Sequence, residues 1–373
     1  MIRILFTHYG DNQIRGSERC LLDLIKHLDR DRFEPVVWCN TEKMAEAARA
    51  LGVPVIRSEF SLLLSGRSPQ FDLRGFYSLV KEGLRLTREY RIDLIHANSG
   101  APNQWLNLVA RIRKLPLLSH LHSRYPLRER LTLGLHHTSL AVGVSHPVVD
   151  QLIDDGIPDS RVRVISNGID LTEFAPNQGV RAQVRRQYGV GDEPWVAMVC
   201  RYHPLKGVNE YLAAVKQLRD AGCTARFALA GTGMARDNAE LSALLQRHQL
   251  GEDSICLLGE IARPQDFLPG LDLLVQASWR EGTPNILLEA MACGVAMVAT
   301  NVGDSAHILQ DGDRLVPAGD SAALAAAIEK ALNSDDNGER VAHERKYLQE
   351  HYETEVCMQA YRHSYGQLVG DAA

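Results

Sequence analysis

Glu281-Gly-Thr-Pro-Asn-Ile-Leu-Leu-Glu289-Ala-Met-Ala-Cys-Gly294 is the stretch that decides the fold. It follows an apolar run, Leu271 to Val275, which indicates a buried strand. Pro284 suits the first position of a helix, and Gly294 suits the residue just after its end. The order is therefore strand, short loop and helix, which is the repeating unit of a parallel α/β sheet.

The helix in this stretch offers two features for binding a ligand. Its first backbone N–H groups, near Asn285 and Ile286, lack helical partners and so favour phosphate. Glu289 lies among apolar residues, so we expect it to be buried. A buried carboxylate is costly unless it accepts hydrogen bonds, and the hydroxyl pair of a ribose would supply them. The alternative is a helix glutamate that reaches solvent or pairs with a core arginine.

The composition is that of a globular protein with more than one core. The chain has 373 residues, so two domains are the default. A net charge of −5 argues against a general nucleic-acid binder. The seven cysteines form no C-x-x-C pair, which favours reduced thiols over disulfides or zinc. No apolar run reaches the ~20 residues of a membrane span, and the first residues enter a strand directly. We expect a cytoplasmic location.

Short apolar runs alternate with helical stretches through both halves of the chain. This pattern predicts two doubly wound parallel-sheet domains in tandem, over residues 1–172 and 191–350. A polar segment with scattered glycine and proline, residues 173–190, is predicted to be the linker. The tail reads as two helices with a break near His351, and residues 351–373 form the final segment.

Charged side chains follow the first predicted strand of the second domain. Arg201 and Lys206 are five residues apart at a strand end, which suits a diphosphate, although two solvated surface cations are the alternative. Gly231-Thr-Gly233 follows the next strand, and a short glycine loop of this kind is weak evidence for a nucleotide.

Histidines close two strands of the first domain. His120 and His122 are two apart and share a face, as metal ligands can. No acidic or cysteine partner lies at ligand spacing, so no metal site is predicted. Gly16 precedes the first helix, where a glycine lets a ligand approach the backbone, although an ordinary helix start explains it equally.

Five stretches together resemble the motifs of one enzyme family. They are Arg15-Gly-Ser-Glu18, His120-Leu-His122, Val164-Ile-Ser-Asn167-Gly-Ile-Asp170, Arg201 with Lys206-Gly207, and the pair Glu281 and Glu289. On these residues the chain resembles the retaining GT-B glycosyltransferases of family four, the glycosyl transferases group 1. The resemblance implies two Rossmann-like domains facing across a cleft, with the final helix of residues 351–373 packed back on the first domain.

The resemblance also implies the chemistry of the site. The donor would be a nucleotide-diphospho-sugar of UDP or GDP type, with no cofactor and no metal. Arg201 and Lys206 would hold the diphosphate, Glu289 the ribose, and Glu281 and His122 the transferred sugar. The remaining donor-binding positions would be Gly16, Gly231, Ile261, Thr283, Asn285 and Ile286. Two alternatives stay open: another nucleotide-sugar enzyme of this architecture, such as an epimerase, and a catalytically silent binding subunit.

The acceptor is less defined by the sequence. Six cations lie between residues 111 and 130 against Glu129 alone: Arg111, Arg113, Lys114, Arg124, Arg128 and Arg130. Four leucines follow toward the end of this segment and beyond it: Leu127, Leu131, Leu133 and Leu135. We expect peripheral contact with an anionic membrane and a glycan or lipid-linked acceptor of cell-envelope, exopolysaccharide or lipopolysaccharide assembly. A solvated face above a buried leucine stripe is the alternative.

Overall fold

Each half of the chain folds around its own parallel sheet in the computed structural model, which describes residues 1–64, 71–334 and 337–370. One compact unit comprises Met1–Asn167 and Cys357–Ala373, and the other comprises Gly168–Val356. Residues 65–70, 335–336 and 371–373, which fall in the predicted domain ranges, lie outside the described residues.

The strands and helices alternate along both units. The strands are β1 Ile2–His8, β2 Phe33–Cys39, β3 Val55–Arg57, β4 Leu94–Asn98, β5 Leu117–Leu121, β6 Leu140–Gly143, β7 Val162–Val164, β8 Trp195–Val199, β9 Arg226–Ala230, β10 Cys256–Gly259, β11 Leu273–Gln276, β12 Ala296–Thr300 and β13 Leu315–Val316. The helices are α1 Gly16–Lys26, α2 Glu42–Ala50, α3 Leu73–Glu89, α4 Asn103–Arg113, α5 Leu127–Thr132, α6 His146–Asp154, α7 Gln178–Gln187, α8 Val208–Asp220, α9 Ala239–Arg247, α10 Asn285–Ala292, α11 Ser305–Leu309, α12 Ser321–Leu332, α13 Asn337–His351 and α14 Thr354–Val369.

The first unit has a seven-stranded sheet in the order β3-β2-β1-β4-β5-β6-β7. Strand β1 pairs in parallel with both β2 and β4, so the strand order reverses between β1 and β4. Leu5 and Phe6 are fully buried in two different cores because neighbouring residues of a strand point to opposite faces. Helices therefore cover both faces of the sheet, as the continuous apolar strands predict.

The second unit has a six-stranded sheet in the order β10-β9-β8-β11-β12-β13. Here the order reverses between β8 and β11, which pair in parallel. Trp195 and Val196 are buried in the cores on opposite faces of this sheet. Strand β13 has two residues and was not predicted, since so short a run has no periodicity to recognise.

The segment predicted as a linker, 173–190, differs from that expectation. It contains helix α7, which belongs to the second unit. Arg185 is nine-tenths buried or more, and it donates to the carbonyl oxygens of Gly191 (3.1 Å) and Gly270 (3.1 Å) and to Asp272 Oδ2 (2.9 Å). The helix is held by its arginines rather than by an apolar stripe, so its composition resembles that of a solvated linker.

The tail consists of helices α13 and α14, with the break at residues 352–353. Tyr361 and Tyr365 of α14 are buried in the same core of the first unit as Phe6. Cys357, Met358, Tyr361 and Tyr365 are thus part of a core of the first unit, although they come late in the sequence.

Candidate functional site

The carboxyl ends of β8 and β11 mark the point in the second unit where the strand order reverses, and we call this the second-unit switch point. Ligands of open α/β sheets bind at such points. The loop after β8 carries Arg201 and Lys206, and the loop after β11 carries Glu281. Lys206 Nζ lies 2.5 Å from Glu281 Oε1, which also accepts from Ser278 Oγ at 2.7 Å. The structure therefore brings together two of the predicted catalytic residues, while Arg201 is exposed beside them.

Close backbone packing holds these two loops in place. The Trp279 N–H donates to the carbonyl of Leu205 at 2.8 Å. Gly207, at φ +72°, ends the short 3₁₀ turn Pro204–Lys206 and starts α8. A Cβ at Gly207 would lie 1.9 Å from the carbonyl oxygen of Ala277, so only glycine fits between the loops. The position of the Lys206 side chain thus depends on this glycine.

Helix α10 presents one partly accessible face. Leu287, Leu288, Ala290, Met291 and Ala292 are buried, whereas Asn285, Ile286 and Glu289 are half-buried. The latter three lie within one helical turn on the same side. Glu289, expected to be buried, is half-buried instead, because its position on the helix turns it toward the accessible face. Pro284 also lies one residue outside the predicted place: it is the N-cap, and α10 begins at Asn285.

The other predicted donor-binding positions of the second unit lie in the neighbouring loops. Gly231 has a φ of +125°, and a Cβ there would lie 2.1 Å from the carbonyl oxygen of Cys200. Its N–H donates to the carbonyl of Gly259 at 2.6 Å. This packing joins the loops after β8, β9 and β10, and Ile261 follows as a half-buried residue. Thr283 is half-buried in the loop that precedes α10.

Four polar side chains of the first unit form a chain of hydrogen bonds at the carboxyl ends of β1, β4 and β5. His8 Nε2 lies 2.8 Å from Glu18 Oε1, and His8 Nδ1 lies 2.9 Å from Asn98 Nδ2. Asn98 Oδ1 lies 2.8 Å from His122 Nε2. His8, Glu18 and Asn98 are buried, and His122 is half-buried at the first position after β5. The predicted residue His122 is therefore the accessible end of a buried network.

Burial favours the neutral form of His120 and His122. Burial and the neighbouring imidazoles of His120 and His8 keep the pKa of His122 well below its usual range. Burial, together with the neighbouring His96, does the same for His120. His120 Nε2 lies 2.9 Å from the Tyr361 hydroxyl, and the rings of His120 and His122 are 4.2 Å apart.

Gly16 is the first residue of α1 and is exposed. A Cβ added there would meet nothing within 4 Å, so packing within the fold does not require a glycine. The N-terminal turn of α1 is accessible to a ligand at this position.

Comparisons with known proteins match both units. The model of the family Glycosyltransferase Family 4 matches residues 14–173, and that of Glycosyl transferases group 1 matches residues 193–334. The Bacillus subtilis (strain 168) protein EpsF, named a glycosyltransferase, is 30% identical over 321 residues, covering 80% of this chain and 79% of that protein. The chain belongs to the family 4 glycosyltransferases.

Two further relatives of this glycosyltransferase extend the comparison. The N,N'-diacetylbacillosaminyl-diphospho-undecaprenol alpha-1,3-N-acetylgalactosaminyltransferase of Campylobacter jejuni is 25% identical and covers 75% of this chain and 76% of that protein. The crystal structure of Anabaena Alr3699/HepE in complex with UDP has a TM-score of 0.83 and 22% identity, with 98% of this chain and 100% of that chain covered. The two parallel-sheet domains thus have the GT-B fold.

His8 and Asn98 of this site were not predicted from the sequence, and neither were the contacts that the core tyrosines Tyr361 and Tyr365 make with His120 and His96. His8 and Asn98 are the last residues of β1 and β4, the two strands between which the order of the first sheet reverses. The rule that polar residues at adjacent strand ends converge would have found them. The tyrosines had no such signal, since they lie more than 200 residues further along the chain.

The seven cysteines are free thiols, as expected. Among the described helices of the glycosyltransferase, none is both long and apolar enough to span a membrane.

Proposed function

We propose that this glycosyltransferase moves a sugar, with retention and without a divalent metal, from a nucleotide-diphospho-sugar of UDP or GDP type to an acceptor hydroxyl. The observation that carries the proposal is the second-unit switch point, where Lys206, Glu281 and the start of α10 are assembled. The complex of the structural relative HepE with UDP supports a nucleotide at such a fold.

The binding roles follow from charge and accessibility. Arg201 and Lys206 hold the diphosphate, with the N–H groups at the start of α10 adding to the positive potential. Glu289, on the accessible face of α10, accepts hydrogen bonds from the ribose hydroxyls. Glu281 loses part of its pairing with Lys206 when the diphosphate arrives, so its carboxylate becomes available to the hydroxyls of the sugar.

The reaction needs charge stabilisation more than a protein nucleophile. The bond between the anomeric carbon and the diphosphate oxygen breaks, and that oxygen keeps the electron pair. The acceptor oxygen bonds to the anomeric carbon on the same face, and its proton passes to the leaving diphosphate. Arg201 and Lys206 stabilise the negative charge as it grows, which is electrostatic catalysis. His122, in its neutral form, contacts the transferred sugar.

The donor is identified by calorimetry with UDP, GDP, ADP and their sugars, with and without EDTA. We expect one nucleotide class to bind, EDTA to have no effect, and Glu289→Ala to abolish binding. Glu329→Ala, an exposed glutamate on α12 of the same unit, is the matched control and keeps wild-type affinity. Unchanged donor affinity in Glu289→Ala contradicts the proposal, and anomeric NMR of the product tests retention.

We further propose that an exposed face of the first unit contacts an anionic membrane that carries the acceptor. Leu127 and Leu131 of α5 are 53% and 60% exposed, whereas Leu133 and Leu135 are buried. The predicted leucine stripe is therefore divided between surface and core. Exposed apolar side chains with exposed cations around them suit an anionic bilayer; the cations are Arg111, Lys114, Arg124 and Arg128.

The membrane proposal rests on charge complementarity and is tested by co-sedimentation. The protein should pellet with phosphatidylglycerol vesicles at low salt, and less with phosphatidylcholine vesicles. Leu131→Glu should weaken this, whereas Tyr77→Glu, which changes a 70% exposed side chain on α3, should not. The Campylobacter relative, whose name includes a diphospho-undecaprenol substrate, supports a lipid-linked acceptor in glycan assembly. Equal pelleting with both vesicles, or none, overturns the proposal.

A further inference from the structure

The donor and the acceptor of each hydrogen bond in the first-unit network can be assigned, starting from Glu18. An ionised carboxylate only accepts hydrogen bonds. Burial alone would raise the pKa of Glu18, but the hydrogen bonds that its carboxylate accepts, from His8 first and also from Ser17, lower it to about 2. Glu18 Oε1 therefore accepts from His8 Nε2, 2.8 Å away, and the proton of this imidazole lies on Nε2.

The side-chain amide of Asn98 links His8 to His122, and its own orientation can be assigned. Its Nδ2 faces the carbonyl oxygen of Ser17 at 3.1 Å, and a carbonyl only accepts, so the NH₂ group lies on this side. The same Nδ2 lies 2.9 Å from His8 Nδ1, which must be the unprotonated, accepting nitrogen. The contacts of both ring nitrogens of His8 therefore require the same tautomer, with a proton on Nε2 and none on Nδ1.

The opposite end of the amide reaches His122. Asn98 Oδ1 can only accept, so His122 Nε2, 2.8 Å away, carries the proton. The second ring nitrogen, Nδ1, is then a lone-pair acceptor on a half-buried side chain. An imidazole in this state accepts a hydrogen bond from a hydroxyl group and does not donate one through Nδ1.

We propose that Asn98 and His8 are positioning residues that, anchored by Glu18, fix the tautomer of His122 so that its Nδ1 accepts a hydroxyl group of the substrate sugar. The part that concerns the sugar rests on the proposed function. His8, Glu18 and Asn98 are buried polar residues that take no direct part in the proposed transfer reaction. Their role in orienting His122 gives a reason for their presence.

The first test needs no substrate. Long-range ¹⁵N–¹H NMR of protein labelled at histidine reports which ring nitrogen is protonated, and His122→Gln assigns the signal. We expect a proton on Nε2 and a bare Nδ1 in both His8 and His122. Asn98→Asp keeps an acceptor opposite His122 Nε2, so His122 should keep its Nε2 proton. A proton on Nδ1 of either ring in the wild-type protein overturns the proposal.

The second test is kinetic. Asn98→Ala should lower kcat about 10- to 100-fold, since a poorly oriented reactive group costs up to this much, with nucleotide affinity unchanged. Asn98→Asp keeps the acceptor for His122, so its kcat should lie between those of Asn98→Ala and the wild type. This second variant keeps the proposal testable if the alanine variant fails to fold. Tyr361→Phe removes a buried hydroxyl bonded to the adjacent His120, so it should lower the melting temperature but leave kcat and the His122 signal unchanged.

The two proposals fail separately. If no donor binds or turns over in the wild-type protein, the proposed function is wrong, whatever the NMR spectrum shows. If donors turn over and Asn98→Ala has wild-type kcat, only the positioning role is wrong.

Discussion

Replacing Glu344 by glutamine should change how the stability of the protein depends on pH. Glu344 lies on α13 and is only 4% exposed, and neither of its carboxylate oxygens has a hydrogen-bond partner among the described residues. Burial raises the pKa of this carboxyl to about 7, although Arg314 and Arg340 act in the opposite direction. An ionised Glu344 is therefore unfavourable in the folded state.

The sign and size follow from proton linkage. The folded state binds this proton more tightly than the unfolded chain, whose glutamate has the ordinary pKa of 4.5. The contribution is fully present below pH 4.5 and is lost as the pH rises from 4.5 to about 7. Each pH unit in this window costs about 1.4 kcal/mol, so the folded state loses on the order of 3 kcal/mol in total.

Urea unfolding of the wild-type protein and Glu344→Gln between pH 4.5 and pH 8 measures this loss. We expect the two proteins to be similar at the acidic end and the variant to be more stable at pH 8, by up to about 3 kcal/mol. Glu350→Gln, which changes a carboxylate that is 56% exposed on the same helix, is the matched control and should not be more stable than the wild type at pH 8. A difference between wild type and Glu344→Gln that is constant across the range refutes the reasoning.

Three further predictions follow from the site and the core. Gly207→Ala should lower the melting temperature and weaken nucleotide binding, because the new Cβ would lie 1.9 Å from the carbonyl of Ala277; Gly251→Ala, where nothing lies within 4 Å, is the control in thermal unfolding and calorimetry. Lys206→Ala should weaken nucleotide affinity about 10- to 100-fold in calorimetry, since a charge-assisted contact contributes about 1.5–3 kcal/mol, whereas Lys216→Ala, at a surface ion pair, should not. Burial raises the pKa of Cys357 to about 12, so iodoacetamide at pH 8 should label this thiol, read by mass spectrometry, only after denaturation.

The sequence predicted most strands and the loops of the second-unit switch point because both depend on local pattern. Strands β8 and β11 are continuous apolar runs, and Arg201, Lys206 and Glu281 follow them within a few residues. Strand order then decides that these two loops are neighbours. The pairing of Lys206 with Glu281 could not be predicted from the sequence, since it depends on two side-chain conformations.

The failures have a common physical cause, which is contact between residues far apart in the chain. Helix α7 has the composition of a linker because Arg185 is satisfied by carbonyl groups and by Asp272, 87 residues further on. The exposure of Glu289 depends on which face of α10 packs against the core. The residues around Glu289 are apolar on all faces of the helix, so their pattern does not identify the accessible face. The network of His8, Asn98 and His122 is assembled from three strand ends.

In the proposed function, the second-unit switch point and the first-unit network of His8, Asn98 and His122 use different chemistry. Cations on the partly exposed loops of the second unit would bind the charged diphosphate, with Lys206 exchanging Glu281 for the ligand. Sugar hydroxyls are neutral, and they donate and accept hydrogen bonds in defined directions. The first unit presents instead an imidazole that burial keeps neutral and that three buried partners orient. We therefore expect substitutions at Lys206 to act mainly on donor affinity and substitutions at Asn98 to act mainly on kcat, and measuring both constants for both variants separates the two contributions.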